Sequence, residues 1–252
     1  MCTASWIHHE AGYELFFNRD EKRTRLPAIS PALVEREGVR FLSPTDGDAG
    51  GTWIAANEFG LTICLLNGAN LTGSSEGSPN SPLSRGLLIP DLISSRSILM
   101  ARERLDAINL AAFSPFTIIV LQPGQAALLF EWNVIQKTVQ IHAARHSMVT
   151  SSSFDSEAVR AARHREYRLR TASAGVDEDL LTAFHASHLP TRSAYSTCMH
   201  RPDAQTVSFS RITVSPQGTD FFYSPAPPCE QTLRSRLFLP RQVPSNFRAS
   251  QE

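Results

Sequence analysis

The sequence lacks a net charge and is poor in lysine. Its 252 residues include 24 Lys and Arg against 24 Asp and Glu, so the formal net charge at pH 7 is zero. Binding to nucleic acid or to an anionic membrane by bulk electrostatics needs an excess of basic residues, and this composition excludes both classes of protein. Only Lys22 and Lys137 are lysines, a preference that we attribute to coding bias. The 42% of hydrophobic residues also excludes a disordered chain.

Cysteine is rare and irregularly spaced. The four cysteines are Cys2, Cys64, Cys198 and Cys229, and no CxxC pair occurs. This spacing predicts neither a structural zinc site nor a dense disulfide framework. We therefore expect no metal ligands, and a pattern of this kind suits a reducing compartment such as the cytoplasm.

Long apolar runs are also missing. The most apolar region, 110–130, is interrupted by Ser, Pro, Gln and Gly, so no membrane span is predicted. The first ten residues lack the basic start and apolar run of a signal peptide. Without a convincing linker or repeat, we predict one domain over 1–238 and a flexible Pro/Arg/Ser-rich tail over 239–252.

What the sequence does contain is short β-rich runs, with helical patterns between them. We predict strands over 2–7, 13–17, 52–56, 61–66, 116–121, 126–132, 138–142, 206–214 and 219–223. Tight turns join most of them into antiparallel hairpins. Helical spacing predicts helices over 98–110, 155–170 and 177–187. Grouped strands with helices between the groups indicate a layered α+β fold, and the Gly/Ser/Pro-rich stretch 68–84 is predicted to be a loop and a candidate lid.

Cys2 is the first candidate for chemistry. Removal of the initiator methionine would make it the N-terminal residue, which carries a thiol nucleophile and an α-amine base together. The α-amine has an ordinary pKa of about 8, suited to deprotonating the thiol. The alternative is that Cys2 is simply a small residue at the start of a strand.

The polar tetrad Asn18, Arg19, Asp20 and Glu21 directly follows the second predicted strand. If the two strands of the first hairpin pair, Arg19 can lie beside the Cys2 sulfur and lower its pKa. Asp20 can then orient the terminal amine. The alternative is a solvated turn with a local ion pair.

A third segment, residues 50–67, reads as a hairpin that ends in a polar Asn67. An amide at the end of an apolar strand can donate a hydrogen bond to a developing oxyanion. As an alternative, Asn67 only begins the next loop.

Together these motifs resemble the transport and Golgi organisation family, also called NRDE proteins after the tetrad. The resemblance rests on the Met-Cys start, the tetrad and Gly50-Gly51-Thr52-Trp53, with weaker matches over 84–86, 114–119, 206–212 and 218–223. It implies an N-terminal-nucleophile-hydrolase fold, which is a four-layer αββα sandwich of antiparallel sheets.

The segment Asn57-Glu58-Phe59-Gly60-Leu61 resembles a turn in the cholylglycine and penicillin amidase branch of that fold. The resemblance implies Cys2 as nucleophile, Arg19 as support for its thiolate, Asp20 as holder of the amine and Asn67 as oxyanion donor. It also implies a substrate-binding side formed by Asn18, Glu21, Trp53, Asn57, Ser151 and Ser152. The sequence departs from the family pattern at 150–153, where serines stand in place of an asparagine, and at 196–201, which lacks a Thr-Arg pair.

Other clusters have simpler interpretations. Cys198, Met199 and His200 are metal-ligand types, but adjacent residues do not easily converge on one iron, and we expect this segment to line a pocket. The basic run 160–170 is interpreted as the solvated side of an amphipathic helix rather than an anion site.

Two functions follow from the resemblance. The first is a Cys-dependent amide hydrolase that forms an acyl-enzyme at Cys2 and needs no cofactor. The second is a non-enzymatic haem-binding or haem-trafficking protein, with haem as ligand. A protein that keeps the fold with neither role is a third interpretation. A small-molecule ligand or substrate is expected as partner, and the oligomeric state stays open.

Overall fold

The computed structural model describes residues 2–68, 83–172, 175–230 and 234–242. Its strands are β1 (Cys2–His9), β2 (Gly12–Lys22), β3 (Ile29–Arg36), β4 (Val39–Thr45), β5 (Ile54–Asn57), β6 (Thr62–Asn67), β7 (Phe116–Leu121), β8 (Ala127–Trp132), β9 (Lys137–His142), β10 (His146–Ser151), β11 (Ala204–Val214), β12 (Gly218–Ser224) and β13 (Ser235–Pro240). Its helices are α1 (Leu88–Ile93), α2 (Ile98–Ala107), α3 (Ser156–Thr171) and α4 (Glu178–His185).

The strands form two antiparallel sheets. One has six strands in the order β10-β1-β2-β11-β12-β13, and the other has seven in the order β3-β4-β5-β6-β7-β8-β9. The hairpins predicted from the sequence are confirmed, because β1–β2, β5–β6, β7–β8–β9 and β11–β12 all pair as neighbours. The β5–β6 turn is closed by Asn57, whose side-chain oxygen accepts from the N–H groups of Phe59 and Leu61 at 3.0 Å each. Gly60 in that turn adopts φ +72°, which favours glycine.

Strand alternation sorts the core into three layers of side chains. Between the sheets lie Cys2, Ala4 and Trp6 of β1 with residues of β5, β6 and β7. The outer face of the seven-stranded sheet packs against α1 and α2, and the outer face of the six-stranded sheet packs against α3 and α4. The order is therefore helices, sheet, sheet, helices, which confirms the αββα sandwich. Among the described residues, no helix is long and apolar enough to cross a membrane.

Several elements escape prediction from the sequence. The strands β3, β4, β10 and β13 and the helix α1 carry weak or short periodic patterns. β3 is mostly exposed, so it lacks the apolar alternation that marks a strand. Residues 239 and 240, expected to belong to the flexible tail, are part of β13 instead, where Leu239 is buried and pairs with Thr219. Residues 243–252 lie outside the described residues, as do 69–82 of the predicted loop and candidate lid.

Candidate functional site

Cys2 lies in a row of side chains that crosses the six-stranded sheet. It pairs in register with Arg19 of β2 on one side and with Ser151 of β10 on the other. Ser208 of β11 stands next to Arg19, beside an irregularity in the strand between Thr206 and Ser208. Directly opposed residues share a face of the sheet, and Cys2 belongs to the core between the sheets. The predicted proximity of positions 2 and 19 is confirmed.

The Cys2 thiol is buried, with 5% of the residue exposed. Burial raises the pKa of Cys2 to about 11, and the nearby Asp20 carboxylate acts in the same direction. The backbone N–H of Asp20 donates to the sulfur and opposes that rise. With its pKa raised in this way, the Cys2 thiol is protonated at neutral pH.

Two neighbouring side chains fix the position of the Arg19 guanidinium. Its guanidinium forms an ion pair with the buried Asp46 and lies 4.0 Å from the centre of the Trp53 ring. Arg25 also bonds Asp46, at 2.8 Å, and the Ala49 N–H donates to it at 2.8 Å. Although burial acts in the other direction, these hydrogen bonds and charges lower the pKa of Asp46. Sequence reasoning missed Asp46, which lies in a turn with no motif.

Asp20 projects to the opposite face of the sheet, toward α3. Its carboxylate accepts from Thr206 at 2.7 Å and pairs with Arg163 at 3.1 Å. Arg163 also donates to Thr3 at 2.8 Å and to Thr150 at 3.1 Å. Burial raises the pKa of Asp20, and the Arg163 guanidinium opposes that shift.

The burial of Arg163 corrects the interpretation of the basic run 160–170. Most of that run is exposed, but Arg163 has 0% of its surface exposed and Glu166 is also buried. The reason is that α3 packs on the sheet, and Arg163 points inward from the helix toward Asp20. The charge pattern of the run shows no difference between Arg163 and its exposed neighbours.

Asn18 is also fully buried on the helix-facing side. Its side-chain N–H groups donate to the carbonyls of His185 at 2.8 Å and Thr197 at 2.9 Å, and its oxygen lies 3.0 Å from His185 Nδ1. These bonds tie β2 to the end of α4 and to the segment that follows. They favour a structural role over the predicted contact with substrate.

Two more predicted substrate-side residues are part of the scaffold. Asn57 is fully buried, and its N–H groups donate to the carbonyls of Ile93 and Ser95 at 2.8 and 2.7 Å. Trp53 is 6% exposed, and the Arg19 guanidinium lies over its ring. Its indole N–H is buried and has no hydrogen-bond partner among the described residues.

The remaining predicted residues lie at strand ends. Ser151 pairs with Cys2, and its buried hydroxyl has no hydrogen-bond partner within the described parts of the chain. Ser152 bonds its own turn, at 2.5 Å to the Phe154 carbonyl. Glu21 is half-buried opposite Gln205.

Asn67 is the last residue of β6 and is half-buried. In a regularly alternating strand, Asn67 shares a face with Ile63 and Leu65, which pack on the helix side of the seven-stranded sheet. Cys64, of the other parity, faces Cys2 within the core between the sheets. The predicted oxyanion role of Asn67 therefore requires the strand to depart from regular alternation at its end.

A second group of reactive side chains lies on the loops beyond α4. His188, Cys198, His200 and Cys229 each offer one ligand atom, and these four atoms all lie within 4.8 Å of one another. The spacing argument against a zinc site did not anticipate this convergence, because Cys229 comes from a turn far along the chain. Met199, between two of these residues, is fully buried.

Three solved structures similar to this fold are named as an amidase, a hydrolase and an acylase. An N-acylethanolamine-hydrolyzing acid amidase ortholog from Caenorhabditis elegans aligns with a TM-score of 0.58 at 14% identity, over 84% of this chain and 92% of that chain. The conjugated bile acid hydrolase of Clostridium perfringens, in a C2A mutant, aligns with a TM-score of 0.56 at 11% identity, over 95% and 92%. Penicillin V acylase from Agrobacterium tumefaciens aligns with a TM-score of 0.52 at 12% identity, over 90% and 83%. At these identities the likeness shows the fold, which is that of the N-terminal-nucleophile hydrolases.

The sequence comparisons show the family. No curated protein matches the chain, but the sequence profile named Transport and Golgi organisation 2 matches residues 1–220. That match covers most of the chain, including the Cys2 row, the Asp20–Arg163 pair, His188, Cys198 and His200, but it ends before Cys229. The chain therefore belongs to the transport and Golgi organisation 2 family.

Proposed function

We propose that this protein is an N-terminal-nucleophile hydrolase that cleaves amide bonds through an acyl-enzyme on Cys2. The observation that carries the proposal is the in-register row of Ser151, Cys2 and Arg19 on the face between the sheets. The three similar solved structures bear the names amidase, hydrolase and acylase, which supports acyl chemistry on this fold.

Removal of Met1 is the first requirement. It gives Cys2 a free α-amine, which accepts the thiol proton as the sulfur attacks the carbonyl carbon of an amide. The buried Ser151 hydroxyl has no partner among the described residues and lies on the neighbouring strand in register with Cys2, so it is the proposed partner of that amine. We propose that Asp20 holds the amine, as the resemblance implies, from the helix-facing side of the sheet, where its carboxylate pairs with Arg163.

The reaction balances with water as the only co-reactant. Attack of sulfur forms a C–S bond, the C–N bond breaks, and the leaving amine takes the proton held by the α-amine. Water then attacks the thioester, with the α-amine as base, and releases a carboxylic acid and the thiol. Backbone N–H groups are the proposed donors to the oxyanion formed in each step. Asn67 joins them only if its side chain turns to the face between the sheets, away from Phe116, its partner on the helix side.

The proposal is tested with a cleavable leader whose removal leaves Cys2 as the first residue. Cut and uncut proteins are incubated with p-nitrophenyl esters and with aryl and fatty N-acyl amides, and intact mass is measured. We expect an added acyl mass on the cut wild type only, absent in Cys2→Ala and retained in Cys64→Ala. An adduct that survives in Cys2→Ala, or none on the folded cut protein with any donor, would overturn it.

Haem binding is a separate prediction from the family resemblance. The cluster of His188, Cys198, His200 and Cys229 does not favour it, because ligand atoms within 4.8 Å of one another suit a small ion better than the two faces of a macrocycle. Haem titration of the full chain tests it. A saturable Soret shift supports it, and a shift no larger than that of a control protein removes it.

A further inference from the structure

We propose that Cys198, His200, Cys229 and His188 form a tetrahedral site for a thiophilic divalent metal, zinc by its chemistry. Two thiolates and two imidazoles are a ligand set of structural zinc sites. Two thiolates also balance the ion's charge. This inference does not depend on the proposed hydrolase function, because the four ligands are separate from Cys2.

The distances in the cluster match those around a bound zinc ion. The Nε2 atom of His200 lies 3.5 Å from the Cys198 sulfur and 3.5 Å from the Cys229 sulfur. With bonds of about 2.3 Å to sulfur and about 2.0 Å to nitrogen, a tetrahedral zinc ion separates sulfur from nitrogen by about 3.5 Å. One imidazole N–H can donate to only one of the two sulfurs at a time, whereas a metal ion uses both contacts.

His188 completes the set. Its Nε2 atom is buried and has no hydrogen-bond partner among the described residues. Its ring lies beside that of His200, with 5.1 Å between the ring centroids. A buried nitrogen without a partner costs free energy, and coordination of a metal would remove that cost. Cys198 is fully buried and the other three ligands are half-buried, as expected of a site closed by protein.

Three of the four ligands stand on one segment that closes on itself by backbone hydrogen bonds. The Cys198 N–H donates to the Ser187 carbonyl at 3.0 Å, which brings Cys198 beside His188. The His200 N–H donates to the Ser193 carbonyl at 3.3 Å. These bonds fix the backbone positions of the three ligands before a metal binds. Less conformational entropy is therefore lost on coordination.

Cys229 comes from a different part of the chain. It lies in a turn in which the Glu230 N–H donates to the Pro227 carbonyl at 3.0 Å. Two prolines, Pro227 and Pro228, restrict the backbone directly before it. A metal ion would therefore tie the segment 187–201 to the turn 225–230.

One local change is required on binding. Arg192 approaches Nδ1 of His200 at 3.3 Å. When Nε2 binds a metal, Nδ1 of the neutral ring carries the proton, so the guanidinium must move aside. Arg192 is exposed, and its side chain has room to do so.

The segment 187–201 makes hydrogen bonds to the buried residues Asn18 and Arg163 and, through Thr206, to Asp20. The Thr197 carbonyl accepts from Asn18 at 2.9 Å, and the Ala194 carbonyl accepts from Arg163 at 3.1 Å. The Met199 N–H donates at 2.9 Å to Thr206, which bonds Asp20. The metal would have a structural role, holding these contacts in place.

The proposal is tested on the full chain, purified without chelators, by elemental analysis and by Co²⁺ substitution. We expect about one zinc per chain, and intense visible bands with sulfur-to-cobalt charge transfer, typical of tetrahedral S₂N₂ coordination. Cys229→Ser and His188→Ala should each lower the zinc content at least tenfold at a fixed chelator concentration. Cys64→Ser, a buried cysteine outside the cluster, should keep wild-type content.

Cys229→Ser removes an outlying turn residue, and circular dichroism at the temperature of the assay confirms that it is folded. Chelation by EDTA should lower the thermal midpoint of the wild type and leave that of Cys229→Ser unchanged. Zinc content below a tenth of an equivalent in the freshly purified wild type would overturn the proposal. So would a weak octahedral cobalt spectrum, or a Cys198–Cys229 disulfide in protein prepared anaerobically.

Discussion

Cys2 and Arg19 oppose each other directly across the first hairpin, yet the Arg19 guanidinium is engaged by Asp46 and by the face of Trp53. The cation closest in register to the thiol is thus fixed by a residue outside the hairpin. Because Arg19 is only 4% exposed, its charge depends on the Asp46 carboxylate for compensation.

Replacing Asp46 by Asn should therefore destabilise the fold. The change leaves Arg19 buried without its carboxylate, and loss of one member of a buried pair costs about 3 kcal/mol or more. The free energy of unfolding in urea measures it. Asp48→Asn is the matched control, because Asp48 is more exposed and lies 3.6 Å from Arg25, so it should cost less than about 1 kcal/mol. Equal effects of the two changes would contradict the assignment.

Replacing Arg163 by Met should cost about 3–5 kcal/mol of unfolding free energy, because it leaves Asp20 buried without a counter-charge. Arg168→Met, on the exposed side of the same helix, should change stability by less than about 0.5 kcal/mol. The double change Arg163→Met with Asp20→Asn should recover part of the loss, since the uncompensated charge is gone. Without any recovery, the charge pair is not the reason for the instability.

Stability should fall with pH below about 6.5, in part through His185. Burial lowers the pKa of His185 to about 3, and Arg163 acts in the same direction. An unfolded histidine has a pKa of about 6.5, so between these values the unfolded chain binds one more proton. Unfolding free energy should therefore decrease by about 1.4 kcal/mol per pH unit through this group as pH falls from 6 to 4.

His185→Gln tests this assignment. Its unfolding free energy should show a pH slope smaller than that of the wild type by one proton. His164, which is exposed on α3, supplies the comparison through His164→Gln, where the slope should change less. An unchanged slope in His185→Gln would show that the imidazole does not carry the effect.

A chain that keeps a residue before Cys2 should have a sluggish thiol. With the pKa of Cys2 raised to about 11 by burial, only about one thiol in a thousand is ionised at pH 8. The iodoacetamide rate at Cys2, followed by peptide mass, should rise about tenfold per pH unit from 7 to 10. Removal of the preceding residue should bring the rate to a plateau at lower pH, as the free amine takes the thiol proton. A plateau near pH 8 in the uncut chain would contradict this.

Local pattern was enough to predict much of the fold. Alternation over 2–7 and 13–17, with a short turn between, was sufficient to expect that position 2 and position 19 lie together. It also predicted most of the strands between residues 52 and 142. β3 was missed because its residues are largely exposed, and an exposed strand carries no apolar alternation. β13 was missed because it ends inside the stretch that was assigned to the Pro/Arg/Ser-rich tail.

The predicted site residues also differ in what the structure shows of them. Ser151, which the resemblance places on the substrate-binding side, pairs in register with Cys2, and its contact with substrate stays a prediction. Asn18 and Asn57 were expected to contact substrate, but their amides bond backbone carbonyls. A polar residue in a motif cannot be assigned to a ligand or to the scaffold until its hydrogen-bond partners are known.

By itself, the sequence determined the hairpins and the faces of their strands, because the two-residue period decides which side chains share a side. It thereby determined that Cys2 and Arg19 meet. Only the tertiary structure decided that Arg163 is buried against Asp20, and that Cys229 joins His188, Cys198 and His200. Both depend on how a helix and two loops pack on the sheets, and that packing brings together residues whose spacing along the chain carries no signal.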